Sequence, residues 1–215
     1  MIKKYTFLFV IFALVLAGMA CNLPYRRQAE EVPAVTALSA GYREEKRLVE
    51  DGTITLYVPD SYYVGGSIAE LADLVEELDV IDTDLRGILG STQADVLVWG
   101  YDADTAAVIP TSFVVIKNET YAAMPLGLIS SLAGPIIGYN VEILQETRLT
   151  IAGRDTLRWI TLTNEAGLEL TQVAYVFKES GVLYLVAFNA DQQEVTGQLS
   201  NYDAIVASLR VEDLE

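Results

Sequence analysis

The chain predicts an α+β domain built on an antiparallel sheet and preceded by an export leader. Three features carry this expectation. Residues 141–189 hold four consecutive alternating runs parted by short turns. Residues 67–90 repeat apolar side chains every three or four positions, the period of a helix with one buried stripe. An apolar run near the start ends in small residues at the only cysteine of the 215-residue chain.

The leader comes first. Lys3 and Lys4 give the positive start, residues 5–16 the apolar stretch, and Ala17, Gly18, Met19 and Ala20 the small or slim side chains before Cys21. This resembles the lipobox of bacterial lipoproteins, with Gly18 in the place where leucine is usual. The resemblance implies removal of residues 1–20 and a thioether-linked diacylglycerol, usually with an N-acyl chain, on Cys21. Each buried methylene of such chains contributes about 0.8 kcal/mol, so several anchor firmly. Two other outcomes stay open. Gly18 and Ala20 also satisfy the small-x-small rule of ordinary signal peptidase, which would release a soluble protein. An uncleaved signal anchor is the third, although residues 7–20 fall short of the roughly 20 apolar residues that span a bilayer. A lone cysteine at that spot favours acylation.

Residues 21–42 lack hydrophobic periodicity, carry Pro24, Pro33, Arg26 and Arg27, and read as a flexible tether. A coil of about 20 residues has an end-to-end distance of roughly 25 Å, enough to lift a domain off the headgroups. Residues 43–215 show no second linker and no repeat, so they form one domain. Asp51-Gly52 is a turn signal; Ile54, Leu56 and Val58 then alternate with Thr53, Thr55 and Tyr57 as a strand that Pro59 ends. Ser67 and Glu70 form a capping box for the helix whose stripe runs from Ile68 to Ile88, with Gly87 or Gly90 as the stop. Residues 94–101 and 111–117 are short β-branched and aromatic strands on either side of a polar turn and Pro110.

Residues 120–141 contain no charged side chain. Pro125, Gly127, Gly134 and Pro135 dilute the run too much for a membrane helix, so it reads as a core-packed helix begun by Pro125 and broken near Gly134-Pro135. Any exposed part of Leu126, Leu128, Ile129, Leu132, Ile136 and Ile137 would be the candidate apolar interaction surface. The four strands that follow are 141–151, 156–163, 168–177 and 182–189, an antiparallel meander. In the last pair Val173, Tyr175 and Phe177 are expected to share a buried face with Leu183, Leu185 and Ala187. Ser200 is the expected cap of a closing helix that turns Ile205, Val206 and Leu209 to the sheet.

Composition narrows the function classes. The chain is 52% hydrophobic, which supports a core, yet carries 30 acidic against 14 basic residues. Lys3 and Lys4 leave with the leader and no acid does, so the mature body is more negative than the formal −16 of the whole chain. Such a surface repels nucleic acid and anionic headgroups. One cysteine allows no internal disulfide, and the chain has no histidine, which removes Ser-His and Cys-His dyads and histidine metal sites.

Several stretches together resemble PsbP-like domains, the fold of the extrinsic photosystem II protein and of bacterial lipoproteins of the DcrB type. These are Ala152-Gly-Arg-Asp, residues 170–177, Gly181-Val-Leu-Tyr-Leu-Val-Ala-Phe and the closing Tyr202-Asp-Ala-Ile-Val-Ala-Ser-Leu-Arg-Val. Ser208-Leu209-Arg210-Val211 has leucine where the family's Ser-Phe-x-Val ending has phenylalanine, and the strand ending at Pro59 resembles the family's opening. The resemblance implies an α/β/α sandwich, a central antiparallel sheet flanked by helices. It implies no catalysis, because the matching residues are those of core and turns.

Motifs of known chemistry are few. Asp82-Thr-Asp84 lacks the glycine and bidentate glutamate of a calcium loop, and a solvated helix face explains it. Gly65-Gly66-Ser67 before a helix could hold an anion, though a tight turn and cap explain it as well. The sequence therefore points to a lipid-anchored module on the extracytoplasmic face of the cell membrane, without cofactor, metal or nucleic acid. Its expected partners are the bilayer through Cys21 and a membrane protein or small apolar ligand. A carboxylate-dependent hydrolase and a structural envelope protein are the alternatives.

Overall fold

A computed structural model describes residues 30–33, 41–49, 52–66, 94–104, 111–131, 141–165, 168–190 and 192–213. The leader with Cys21 and the helix expected over 67–90 lie outside these residues. The described strands in chain order are β1 (Glu30–Val32), β2 (Tyr42–Val49), β3 (Gly52–Pro59), β4 (Tyr62–Gly65), β5 (Ala94–Asp102) and β6 (Ser112–Asn118), then β7 (Val141–Ile151), β8 (Arg154–Glu165), β9 (Leu168–Glu179), β10 (Val182–Ala190) and β11 (Arg210–Asp213). Helix α1 (Leu126–Ser130) lies between β6 and β7, and α2 (Gln192–Ser208) precedes β11.

Eight strands form one sheet in the order β1-β7-β8-β9-β10-β6-β5-β4, and β11-β3-β2 form a second. The expected meander is the middle of the large sheet. Two of its hairpins turn through two residues, Ala152-Gly153 and Ser180-Gly181, with φ of 51° and 79° in the first and 50° and 80° in the second. Left-handed backbone at both positions gives the turn twist that matches flanking strands.

These turns set a register that corrects one expectation. Phe177 pairs with Tyr184, Tyr175 with Val186 and Val173 with Phe188. Leu183, Leu185 and Ala187 therefore belong to the opposite face from Val173, Tyr175 and Phe177, one residue out of the expected pairing. Both faces of β9 and β10 are covered, so apolar side chains occur at odd and even positions alike and alternation does not tell the faces apart.

The larger core lies on the face of Tyr175, Phe177, Val186 and Phe188, against Ile54, Leu56 and Val58 of β3 and Val195, Tyr202, Ile205 and Val206 of α2. The second core, on the other face, joins Leu126 and Ile129 of α1 to Leu157, Trp159, Ala174, Val176 and Leu183. Pro125 precedes α1 as expected. Among the described residues sheet dominates, with one long helix and the small sheet on one side and the five-residue α1 on the other.

Three further differences from expectation concern the edges. Helix α2 begins at Gln192, so Ser200 is an exposed mid-helix residue rather than a cap. Gly197 costs about 1 kcal/mol in a helix interior relative to alanine, but burial of Val195 before it and Tyr202 after it outweighs this. Glu30–Val32, within the expected tether, runs parallel to β7 with Glu30 opposite Leu149. Strand β2 was not expected as a strand. Its Arg43 donates to the carbonyls of Asp60 (2.6 Å) and Tyr62, and Arg47 to that of Val64 (2.6 Å). The Tyr62 and Val64 carbonyls of the edge strand β4 are thus taken by guanidinium groups, which disfavours their pairing with another chain.

The Ser208-Leu-Arg-Val ending has a structural use. Ser208 Oγ accepts from the backbone N–H of Tyr57 at 2.9 Å and donates to the Ile205 carbonyl at 2.6 Å, fastening the end of α2 to β3. Arg154 of the Ala-Gly-Arg-Asp stretch donates to the last carbonyls of the helix region, Val206 (2.6 Å) and Leu209 (3.0 Å), and lies 4.4 Å over the Phe177 ring. Ser208→Ala leaves the Tyr57 N–H without this acceptor and is expected to lower stability by about 1–3 kcal/mol in urea unfolding, with little change for Ser208→Thr.

Candidate functional site

A cleft of about 580 Å³ opens where the middle of α2 meets the ends of β2, β3, β4 and β5. Cross-strand pairing assembles its walls: Tyr42 sits opposite Pro59, and Tyr62 opposite Asp102. Backbone hydrogen bonds join the pieces, from Ala103 N–H to the Ser61 carbonyl at 3.0 Å and from Asp102 N–H to the Thr111 carbonyl at 2.8 Å. Helix α2 supplies Gly197, Gln198, Asn201, Tyr202 and Ile205, a spacing that puts them on one face.

The lining is mainly hydroxyl, amide and carboxylate, with Pro59 and Ile205 as apolar members. Burial pushes the Tyr42 phenol above its ordinary pKa, so it is a neutral hydroxyl at all physiological pH values. Tyr202 is buried with its ring stacked on Phe188 at 4.3 Å between centroids. Asn201 donates to Gln198 at 2.6 Å. Asp102 is the charged member among the described lining residues, and its Oδ1 accepts from the Asp104 N–H at 3.2 Å. Asp102 is the carboxylate among these hydroxyls, but among the described residues neither the Ser61 nor the Thr111 hydroxyl is hydrogen-bonded to it, so the arrangement suits binding better than nucleophilic chemistry.

A second polar group lies inside the larger core. Arg158 of β8 donates through Nη1 to both carboxylate oxygens of Asp203 on α2, each at 3.0 Å, and the Tyr175 hydroxyl donates to Asp203 at 2.7 Å. Burial, then the Asp203 charge, drives the Tyr175 phenol well above the usual tyrosine range. It stays a proton donor, and the group acts as a clamp between sheet and helix.

The residues expected from sequence fall elsewhere. Cys21, Leu132, Ile136 and Ile137 lie outside the described residues. Leu126 and Ile129 are buried in the second core and form no surface, whereas Leu128 is 49% exposed. Gly65 has a packing reason: a Cβ there would come within 2.2 Å of the Trp99 ring. None of the cleft residues was expected as a site residue; Pro59, Tyr202 and Ile205 read from sequence as parts of strand and core alone. They come from five separated segments, and no local spacing unites them.

This architecture is a PsbP-like fold. Among solved structures the chain is similar to the cyanobacterial PsbP (CyanoP) of Synechocystis sp. PCC 6803, with a TM-score of 0.51 at 10% identity over 83% of this chain and 96% of that one. It also resembles PA94 of Pseudomonas aeruginosa (TM-score 0.44, 8% identity, 80% and 99% covered). LpqN of Mycobacterium tuberculosis, involved in cell envelope biogenesis, aligns at a TM-score of 0.43 and 14% identity, covering 79% and 91%. Identities this low speak for fold alone. No family model matches the chain, and no curated protein does. Among the described residues no helix is long and apolar enough to cross a membrane.

Proposed function

We propose that this chain is an extracytoplasmic lipoprotein, held at the cell membrane by acyl chains on Cys21, whose PsbP-like domain is a non-catalytic binding module. It serves as an accessory to a membrane complex or as the receptor of a small ligand. The cleft beneath α2 is the observation that carries this reading. Its 580 Å³ lies in the range of small-molecule sites. Its walls offer hydrogen-bonding groups, neither the Ser61 nor the Thr111 hydroxyl is bonded to Asp102 among the described residues, and the buried ionic group is engaged in holding α2 to the sheet.

The leader ending at Cys21 supports the anchor. Glu30 is already paired with β7, so the chain from Cys21 to Glu30 spans at most about 30 Å when extended. The domain is thus kept near the bilayer while its acidic surface repels anionic headgroups. A ligand read from this lining is polar rather than apolar.

Membrane fractionation of the full chain beside Cys21→Ser tests the anchor. The parent is expected in the membrane fraction with a diacylglycerol-modified Cys21 by mass spectrometry, and the variant in the soluble fraction or retained with its leader. An unmodified thiol in the membrane-bound parent, or unchanged fractionation of a cleaved variant, would overturn it.

A further inference from the structure

We infer that the cleft takes a small organic cation whose ammonium group is held by Asp102, an inference that rests on reading the cleft as the binding site. Asp102 pairs with Tyr62, and Tyr62 belongs to the core on the α2 side of the sheet. Opposed residues share a face, so the Asp102 carboxylate projects to that side, into the cleft. Oδ1 holds the Asp104 N–H, and Oδ2 has no partner among the described residues. A neutral ligand would strip water from this carboxylate without compensating its charge, whereas an ammonium compensates it and makes a charge-assisted hydrogen bond. The nearby Arg43 does not neutralise the site: it donates to the Asp60 and Tyr62 carbonyls and pairs with Glu45 at 2.8 Å. The excess of 30 acidic over 14 basic residues further concentrates cations and repels anions.

Gly197 is the independent observation. Glycine weakens a helix interior, yet a Cβ at this position would meet nothing within 4 Å, and its backbone is not left-handed. Gly100 shows the contrast, since a Cβ there would reach Phe113 at 2.5 Å. No packing demand explains Gly197, and it stands in the cleft wall, where a side chain would narrow the opening.

The test uses the full-length chain in detergent micelles, titrated with benzylamine and its neutral counterpart benzyl alcohol, and with cyclohexylamine and cyclohexanol. The amines are expected to bind about tenfold or more tightly than the alcohols, by a margin that shrinks with added salt. Asp102→Asn keeps an acceptor for the Asp104 N–H and is expected to abolish the margin. Gly197→Leu is expected to melt no lower than the parent and to lose all four probes. Equal binding of alcohols and amines, both lost in Gly197→Leu, would overturn the cation while leaving the cleft as the site. Amine binding that survives Gly197→Leu would overturn the cleft itself, and failure of every probe to bind would overturn the cation assignment.

Discussion

Asp203→Ala is expected to lower the unfolding free energy by about 3–5 kcal/mol, because it strands a buried guanidinium. The side chains of Arg158 and Asp203 are only 9% and 16% exposed, and Asp203 also accepts from Tyr175. Removing the carboxylate leaves a positive charge and a phenol hydroxyl inside the core beneath α2. In a domain of this size the loss corresponds to a fall in melting temperature of roughly 6–20 °C. The ion pair itself contributes less than this cost of breaking it. Arg158 meets Asp203 through Nη1 alone and its Nε is buried without a partner, a poorer geometry than the two-nitrogen fork. The double variant Arg158→Met with Asp203→Leu is therefore expected to recover most of the lost stability. Thermal and urea unfolding of the three proteins check this. A loss below about 1 kcal/mol in Asp203→Ala would show that water reaches Arg158 and that the clamp is not closed.

The parts of the fold that sequence discloses are those whose burial is one-sided or whose turns are tight. Ile54, Leu56 and Val58 alternate with polar neighbours because only one face of β3 meets the core. Ala152-Gly153 and the residues around Gly181 announce the hairpins because left-handed backbone favours glycine. Strand β2 is hidden because its sequence, YREEKRLV, has five charged residues. Its half-buried Arg43 and Arg47 are used on the carbonyls around β4 rather than in an apolar contact, so the strand never shows the expected hydrophobic period. The start of α2 is hidden for a related reason. Thr196-Gly197 reads as a break in local propensity, and only the tertiary burial of Val195 and Tyr202 carries the helix through it.

The cleft was illegible in a different sense. Tyr42, Ser61, Asp102, Thr111 and Asn201 are ordinary polar residues whose significance comes from pairing across β3, β4 and β5 and from packing of α2. Asp102 was legible only as part of a turn. Gly197 carries a local cost inside α2, and a sequence reading that begins the helix at Ser200 leaves that cost unseen. Of the uncharged run from 120 to 141, Leu126 and Ile129 are buried whereas Leu128 is exposed. The structure uses Leu126 and Ile129 of that run to seal the second face of the sheet.

That second face should be held by one side chain above all. Trp159 is fully buried and is the largest member of a cluster completed by Leu126, Ile129, Leu157, Ala174, Val176 and Leu183. Its indole N–H donates to Glu146 at 2.9 Å, and the same carboxylate oxygen accepts from Ser130 at the end of α1 at 2.7 Å. Trp159→Ala empties the middle of this small core and breaks the bridge to α1, with an expected cost of about 3–5 kcal/mol. A five-residue helix has no stability of its own, so α1 should come free before the sheet unfolds. Amide exchange at residues 126–131 is then expected to lose protection while β9 and β10 keep theirs. Trp159→Phe keeps most of the ring volume and loses the indole donor, and is expected to cost less and retain α1 protection. The chain has two tryptophans, so the fluorescence left in either variant comes from Trp99 and reports the β4–β5 edge separately. Undiminished protection of 126–131 in Trp159→Ala would mean that α1 is docked by Leu126 and Ile129 without the indole between sheet and helix.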